Sequence, residues 1–139
     1  MEIGRCLSMH GAQAVLTEYD EKEGTVKAIS FRISLNGNTM AFRLPCDWHP
    51  VYEILTKGKE DLHRWNETKR ERWESDQRLQ SVRTAWRIVK DWVEAQMALV
   101  ETQMVTTAEV FLPYAVMKDG RTLAQHAQTD PSFLLGDGQ

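Results

Sequence analysis

The chain has 139 residues, of which 42% are hydrophobic and 27% are charged, and its formal net charge is −3. This composition is typical of one globular domain and excludes a disordered chain, and no apolar run approaches the roughly 20 residues that span a membrane. The first residues lack the basic and apolar regions of a signal peptide, so we expect a cytoplasmic protein whose two cysteines, Cys6 and Cys46, stay reduced.

The N-terminal half predicts a short helix followed by an antiparallel sheet. Residues 2–10 favour a helix that Gly11 ends, and Ala14–Tyr19 favours a strand. Residues 26–35 alternate cleanly between apolar and polar side chains, and residues 39–44 do so again. Between them, Asn36-Gly37 is typical of a two-residue hairpin turn. These patterns predict a three-stranded antiparallel meander.

The C-terminal half predicts helices. Residues 49–56 favour a short helix capped by Asp47, with Val51, Ile54 and Leu55 facing inward. From Ser75 or Asp76 to residue 104, apolar residues recur three and four apart, which predicts one long helix packed on more than one side. Its expected core positions are Trp86, Val89 and Val93, which should be buried with Phe31 of the sheet.

A short turn is expected from Thr106 or Thr107 through Leu112, and a last short helix over residues 122–128. The predicted fold is therefore α+β: a three-stranded antiparallel meander packed against one long helix, with additional short helices. We expect a single domain over residues 1–139, with a charged arm, loop or helix at 57–78 and a tail at 130–139. Residues 111–114 and 133–135 are apolar, and either close the core or form a protein-binding patch.

Catalytic and metal-binding motifs are missing from the sequence. There is no P-loop, Rossmann glycine pattern or nucleophile elbow, and no histidine pair has the spacing of a helical metal site. Cys46, Asp47, His49 and His63 follow no recognised ligand spacing either. We therefore expect a binding protein without a cofactor or metal rather than an enzyme.

Basic residues are concentrated in one segment. Residues 57–90 hold ten of the seventeen lysines and arginines but six of the twenty acidic residues, so this segment carries +4 and the remainder −7. Cations interleaved with tryptophans are what a single-stranded nucleic-acid site uses, because cations neutralise phosphates and aromatic rings stack on bases. An ordinary solvated helix face is the alternative reading of such a charge run. The candidate nucleic-acid-binding residues are Arg64, Trp65, Lys69, Arg70, Arg72, Trp73, Arg78, Arg83 and Arg87, with Arg32 and Arg43 of the hairpin as a possible extension.

Two stretches resemble a known group of proteins. The run TAWRIVKDWVEAQMALVE at Thr84–Glu101 and the run EVFLPY at Glu109–Tyr114 resemble a family of small, largely uncharacterised proteins encoded by bacteriophages and prophages. Residues 28–31 and 42–45 are similar too, and the resemblance covers about residues 14–125. It implies a phage protein in the bacterial cytoplasm and supplies no catalytic residues to transfer.

Such small phage proteins typically serve genome replication or recombination, or block host defence. The sequence thus leads to two hypotheses. In the first, a non-enzymatic accessory protein binds nucleic acid, possibly single-stranded, in phage DNA replication or recombination. In the second, the chain is an anti-CRISPR-like inhibitor that binds a host defence protein. Neither involves a membrane, and self-association is compatible with both.

Overall fold

The chain forms one short helix, three consecutive strands and then a series of helices. The computed structural model describes residues 2–58 and 64–134, with side chains for 3–58 and 64–132. The predicted α+β class, with its three-stranded antiparallel sheet, long helix and short helices, is confirmed. The elements are α1 (Glu2–Met9), β1 (Ala12–Tyr19), β2 (Val26–Leu35), β3 (Asn38–Pro45), α2 (His49–Thr56), α3 (Glu67–Glu101), α4 (Thr107–Phe111), a 3-10 turn (Leu112–Tyr114), α5 (Leu123–Thr129) and a last 3-10 turn (Pro131–Leu134).

The sheet has the order β1-β2-β3 and is antiparallel throughout. Its tight turn is the predicted one: Asn36 and Gly37 have φ of 51° and 82°, which a hairpin of this length needs at both central positions. Phe31 of β2 lies opposite Phe42 of β3, so both rings share one face of the sheet. The alternation of residues 26–35 therefore produces one apolar face that must be covered.

Three aromatic rings form the centre of the core. Phe31, Phe42 and Phe111 are at most 2% exposed, and their ring centroids lie 5.1–5.9 Å apart. Side chains of α1 and α3 complete this cluster, among them Leu7 and Val93. The sheet, α1, α3 and α4 are thus held by one continuous apolar layer on the inner face of the sheet.

Helix α3 begins earlier than predicted, at Glu67 rather than at Ser75 or Asp76, and ends at Glu101. The side chain of Asn66 caps it by accepting a hydrogen bond from the Lys69 N–H at 2.7 Å. At 1.5 Å per residue its 35 residues extend for about 52 Å, much farther than the sheet can cover. It is unbroken at Trp92, as expected.

Different stretches of α3 pack on different elements. Val93 and Met97, both at most 2% exposed, lie on the sheet, whereas Ala85 packs with Trp48 and Cys46 in a second cluster. Trp86 and Val89 contact both clusters and are half-buried, so the prediction that they are buried holds only in part. The residues of α3 before Ser81 belong to neither cluster.

Helix α2 packs on the middle of α3 through Val51 and Tyr52. The N-cap residue of α2 is Trp48, whose side chain makes no capping hydrogen bond. Asp47, the residue before it, accepts a hydrogen bond from the His49 N–H at 3.0 Å. The expectation that Ile54 and Leu55 face inward is wrong: they are 74% and 37% exposed. The reason is geometric, because the side of α2 that packs on α3 is the one with Val51 and Tyr52.

The C-terminal elements close the open side of the core. The Thr106 hydroxyl and the Glu109 carboxylate cap α4 reciprocally, and Phe111 is fully buried. The Val116 N–H donates to the Ala41 carbonyl at 2.9 Å, which joins residues 115–116 to the edge of β3. Of the two readings for residues 111–114, closing the core is thus the one the packing supports. The side chains of residues 133–135 lie outside those described.

Within the described part of the chain, no helix combines the length and the apolar character required to cross a membrane.

Candidate nucleic-acid interface

Four predicted cations lie along one face of α3. Lys69, Arg72, Arg83 and Arg87 are separated by 3, 11 and 4 residues, which are close to whole helical turns, and all four are exposed. We call these four residues the basic stripe. It lies roughly opposite Ala85 on the helix and extends for about 27 Å, and Arg83 also borders a groove with Trp48 and Val82.

The stripe's arginines have no carboxylate partner among the described residues. Elsewhere on the same helix, Lys90 lies 3.9 Å from Glu94, a pair one turn apart. Arg72, Arg83 and Arg87 have no such pair within residues 3–58 and 64–132. Asp76 is the one acidic residue on this face between Lys69 and Arg87. The stripe is therefore a row of solvated positive charges on a chain of negative net charge.

The N-terminal end of the stripe meets a pair of tryptophans. The rings of Trp65 and Trp73 are edge to face at 5.8 Å, and the Lys69 ammonium lies 4.6 Å from the Trp65 ring centroid. Both rings are half-buried. Their mutual contact and the lysine occupy part of the aromatic surface that base stacking needs. Phosphate contacts by the arginines are therefore better supported than stacking by the tryptophans.

Three further candidates do not join the stripe. Arg64 is exposed just before α3 begins. Arg70 is half-buried, and its Nε has no hydrogen-bond partner among the described residues. Arg78 is exposed on the side of α3 that faces α2, where it lines a groove of about 400 Å³ with Tyr52 and Glu74. Neither Arg70 nor Arg78 belongs to the basic stripe, and Arg64 precedes the helix that carries it.

Arg32 and Arg43 lie on the opposite face of the sheet. Their cross-strand neighbours are Ala41 and Ser30, so they share the outer face, whereas α3 covers the inner one. The Arg43 Nε also donates to the Glu18 carboxylate at 2.7 Å, and Ser30 donates to the same oxygen at 3.2 Å. The expectation that these two arginines extend the patch is therefore not supported, because the sheet separates them from the stripe.

The outer face of the sheet carries features that the sequence did not single out. Two adjoining grooves of about 640 and 600 Å³ meet at Arg43, one bordered by α5 and one running along β1. Beside the first, the ring nitrogens of His49 lie 2.6 Å from Asp47 and 3.1 Å from Glu23, and these hydrogen bonds, to Asp47 above all, raise the pKa of His49. The strand alternation could have placed Glu18 beside Arg43, since both belong to the outer set.

Metal ligands are not assembled in the described part of the chain. Within residues 3–58 and 64–132, no group of three or more histidine, cysteine, aspartate or glutamate side chains is arranged to hold an ion. Of the four residues considered from the sequence, Asp47 and His49 pair with each other, Cys46 is buried, and His63 lies outside the described residues.

Comparisons of the chain with family models, with curated proteins and with solved structures find no match. The resemblance to phage proteins therefore stays a prediction that rests on its own motifs. A function has to be argued from the side chains and the charges that the fold brings together.

Proposed function

We propose that the chain is a non-enzymatic accessory protein of a bacteriophage that binds nucleic acid through the basic stripe, in phage DNA replication or recombination. One observation carries the proposal. Arg72, Arg83 and Arg87 are exposed on a single face of α3 and lack a carboxylate partner among the described residues, although α3 itself holds several acidic residues. An unpaired arginine row can give its full charge to a phosphate backbone.

The expected interaction is electrostatic and modest. Three to four cations neutralise about as many phosphates, and the net charge of −3 opposes the approach of a polyanion. Affinity should therefore be strong at low salt and weak at physiological salt, without sequence preference, because phosphate contacts carry no base information. Such binding suits an accessory role in which the protein acts wherever nucleic acid is exposed.

The tryptophan pair decides the preference between strand types. A single strand offers unstacked bases. A base that displaced Lys69 and stacked on the ring of Trp65 would strengthen binding by about 1–3 kcal/mol. A duplex offers no such base. Preference for single strands that disappears in Trp65→Ala would support stacking, and equal affinity for both forms would restrict the contact to phosphates.

A charge-matched pair of variants tests the proposal. Arg83→Glu/Arg87→Glu reverses two stripe cations, whereas Arg5→Glu/Arg32→Glu reverses two exposed arginines outside the stripe and changes the net charge equally. Fluorescence anisotropy with labelled single- and double-stranded oligonucleotides should show binding lost in the first variant and retained in the second. An equal loss of affinity in both variants would mean that net charge governs binding. Unchanged affinity in Arg83→Glu/Arg87→Glu would show that the stripe is not part of the interface.

A second candidate function is inhibition of a host defence complex by protein–protein binding. It is favoured by the exposed apolar side chains Ile54 and Leu55 at the end of α2. An affinity pull-down from host lysate, with and without nuclease, separates the two candidates. A stoichiometric host protein that survives nuclease, and that Ile54→Asp no longer captures, would favour inhibition. Nucleic acid in the eluate would favour the first function.

A further inference from the structure

The two edges of the sheet differ. On the β3 side, residues 115–116 occupy the edge through the hydrogen bond from the Val116 N–H to the Ala41 carbonyl. On the other side, β1 is the last strand, paired only with β2 among the described elements. An edge strand offers a row of N–H and C=O groups that another strand can pair with.

The register shows which groups of β1 face outward. The Cys46 N–H donates to the Lys27 carbonyl at 2.9 Å, so odd-numbered residues of β2 direct their backbone groups to the β3 side. The backbone groups of even-numbered β2 residues such as Ser30 therefore form hydrogen bonds with β1. Their partners are the β1 residues directly opposite, including Leu16. Val15 and Thr17 consequently direct their N–H and C=O groups away from the sheet. No described loop or helix bonds to these backbone groups.

The middle of this edge has few of the features that protect an edge strand against pairing. Ala12–Tyr19 contains no lysine, arginine or proline, the residues that commonly guard an edge strand. Leu16 is 62% exposed on the outer face, in the middle of the strand. The central stretch from Ala14 to Glu18 pairs regularly with β2, and the irregularities of β1 lie only at its ends. Because its pairing is regular, this stretch can accept a further strand along its free edge.

We propose that two copies of the chain pair antiparallel through β1, about a two-fold axis at Leu16, to form one six-stranded sheet. In this register Leu16 lies opposite Leu16 of the second copy, Val15 opposite Thr17, and Ala14 opposite Glu18. The outward groups of Val15 and Thr17 then bond reciprocally, and Leu16 falls at the non-hydrogen-bonded position, where side chains approach most closely. No like charges oppose each other, whereas a slip that centred on Glu18 would oppose two carboxylates.

The same symmetry has a consequence for α3. A two-fold axis perpendicular to the sheet keeps the inner faces of both copies on one side, so both long helices lie on that side. Their basic stripes would then lie on the same side of the six-stranded sheet. The dimer would thus offer a nucleic acid twice the number of arginines that one chain offers.

Charge substitutions at the axis test the pairing specifically. Leu16→Lys and Leu16→Glu each place like charges opposite each other in a homodimer, at an exposed position that the fold of one chain does not need. Sedimentation equilibrium should show a dimeric native protein and, for each variant alone, a dissociation constant raised by about tenfold or more. An equimolar mixture of the two should regain the dimer, since lysine then faces glutamate. Leu79→Lys, an exposed leucine on α3, is the control and should stay dimeric.

Three results would overturn the proposal. The first is a native protein that remains monomeric up to its solubility limit. The second is a dimer that both Leu16 variants leave intact, because it would then use another surface. The third is a mixture of the two variants that stays monomeric. Hydrogen exchange gives an independent readout: the Val15 and Thr17 amides should be protected in the dimer and exchange rapidly in Leu16→Lys.

Discussion

Phe111 should be one of the most sensitive positions in the fold. Its side chain is fully buried and contacts three rings, with centroid distances of 5.1 Å to Phe31, 5.9 Å to Phe42 and 5.8 Å to Trp92. Phe111→Ala leaves a cavity where the sheet, α3 and α4 meet, and buried Phe→Ala changes cost about 3–5 kcal/mol. Because three aromatic contacts, each about 0.5–1.5 kcal/mol, are lost together, we expect about 4–5 kcal/mol.

Urea denaturation followed by tryptophan fluorescence measures this cost. With a slope of about 2 kcal/mol per M, the midpoint should fall by about 2 M while the slope stays unchanged. The control is Leu112→Ala, next in sequence but 47% exposed, which should cost below about 1 kcal/mol. Equal midpoint shifts in the two variants would refute the assignment of Phe111 to the centre of the core.

Two further predictions concern α3. Trp86 is half-buried between the two clusters, so Trp86→Ala should cost less than Phe111→Ala, about 2–3 kcal/mol in urea denaturation, and an unchanged midpoint would show that it packs on neither cluster. The pKa of His10 is raised above 6.5, first by its hydrogen bond to the Cys6 carbonyl and then by Glu101 of α3. A raised folded-state pKa stabilises the fold below pH 6.5, and this stabilisation is lost as pH rises through the folded-state value. His10→Gln should therefore lower the urea midpoint more at pH 5.5 than at pH 8, and a pH-independent difference would contradict this.

Much of the fold is readable from local signals. Asn36-Gly37 predicts its turn because both positions need positive φ, and the strict alternation after Val26 predicts which face of β2 is buried. The start of α3 is not readable in this way, since its charged first turns make few apolar contacts and give no periodic stripe. Asn66, a residue type that favours the N-cap position, is the feature of the sequence that indicates this start. The exposure of Ile54 does not follow from the pattern within α2, because the neighbouring helix decides which side of α2 is covered.

The candidate site was readable only in part. Helical spacing alone relates Arg72 to Arg83 and Arg87, so a stripe was accessible once the helix was known to begin at Glu67. The separation of Arg43 from this stripe depends on which sheet face α3 covers, and its partner Glu18 lies 25 positions away in sequence. Strand alternation places both residues on the outer face, but which outer residues lie side by side follows only from the folded register.

The salt dependence of nucleic-acid binding tests the central claim most directly. Each phosphate neutralised by the stripe lowers log K by about 0.7 per unit of log salt for a single strand and about 0.9 for a duplex. Three contacts by Arg72, Arg83 and Arg87 predict a slope of about −2 to −3, measured by anisotropy over a series of salt concentrations. Replacing Arg87 by Gln should make the slope less negative by about one contact, whereas the same change at Arg32 should leave it unaltered. A slope near zero, or one that Arg87→Gln and Arg32→Gln change equally, would contradict binding through the basic stripe.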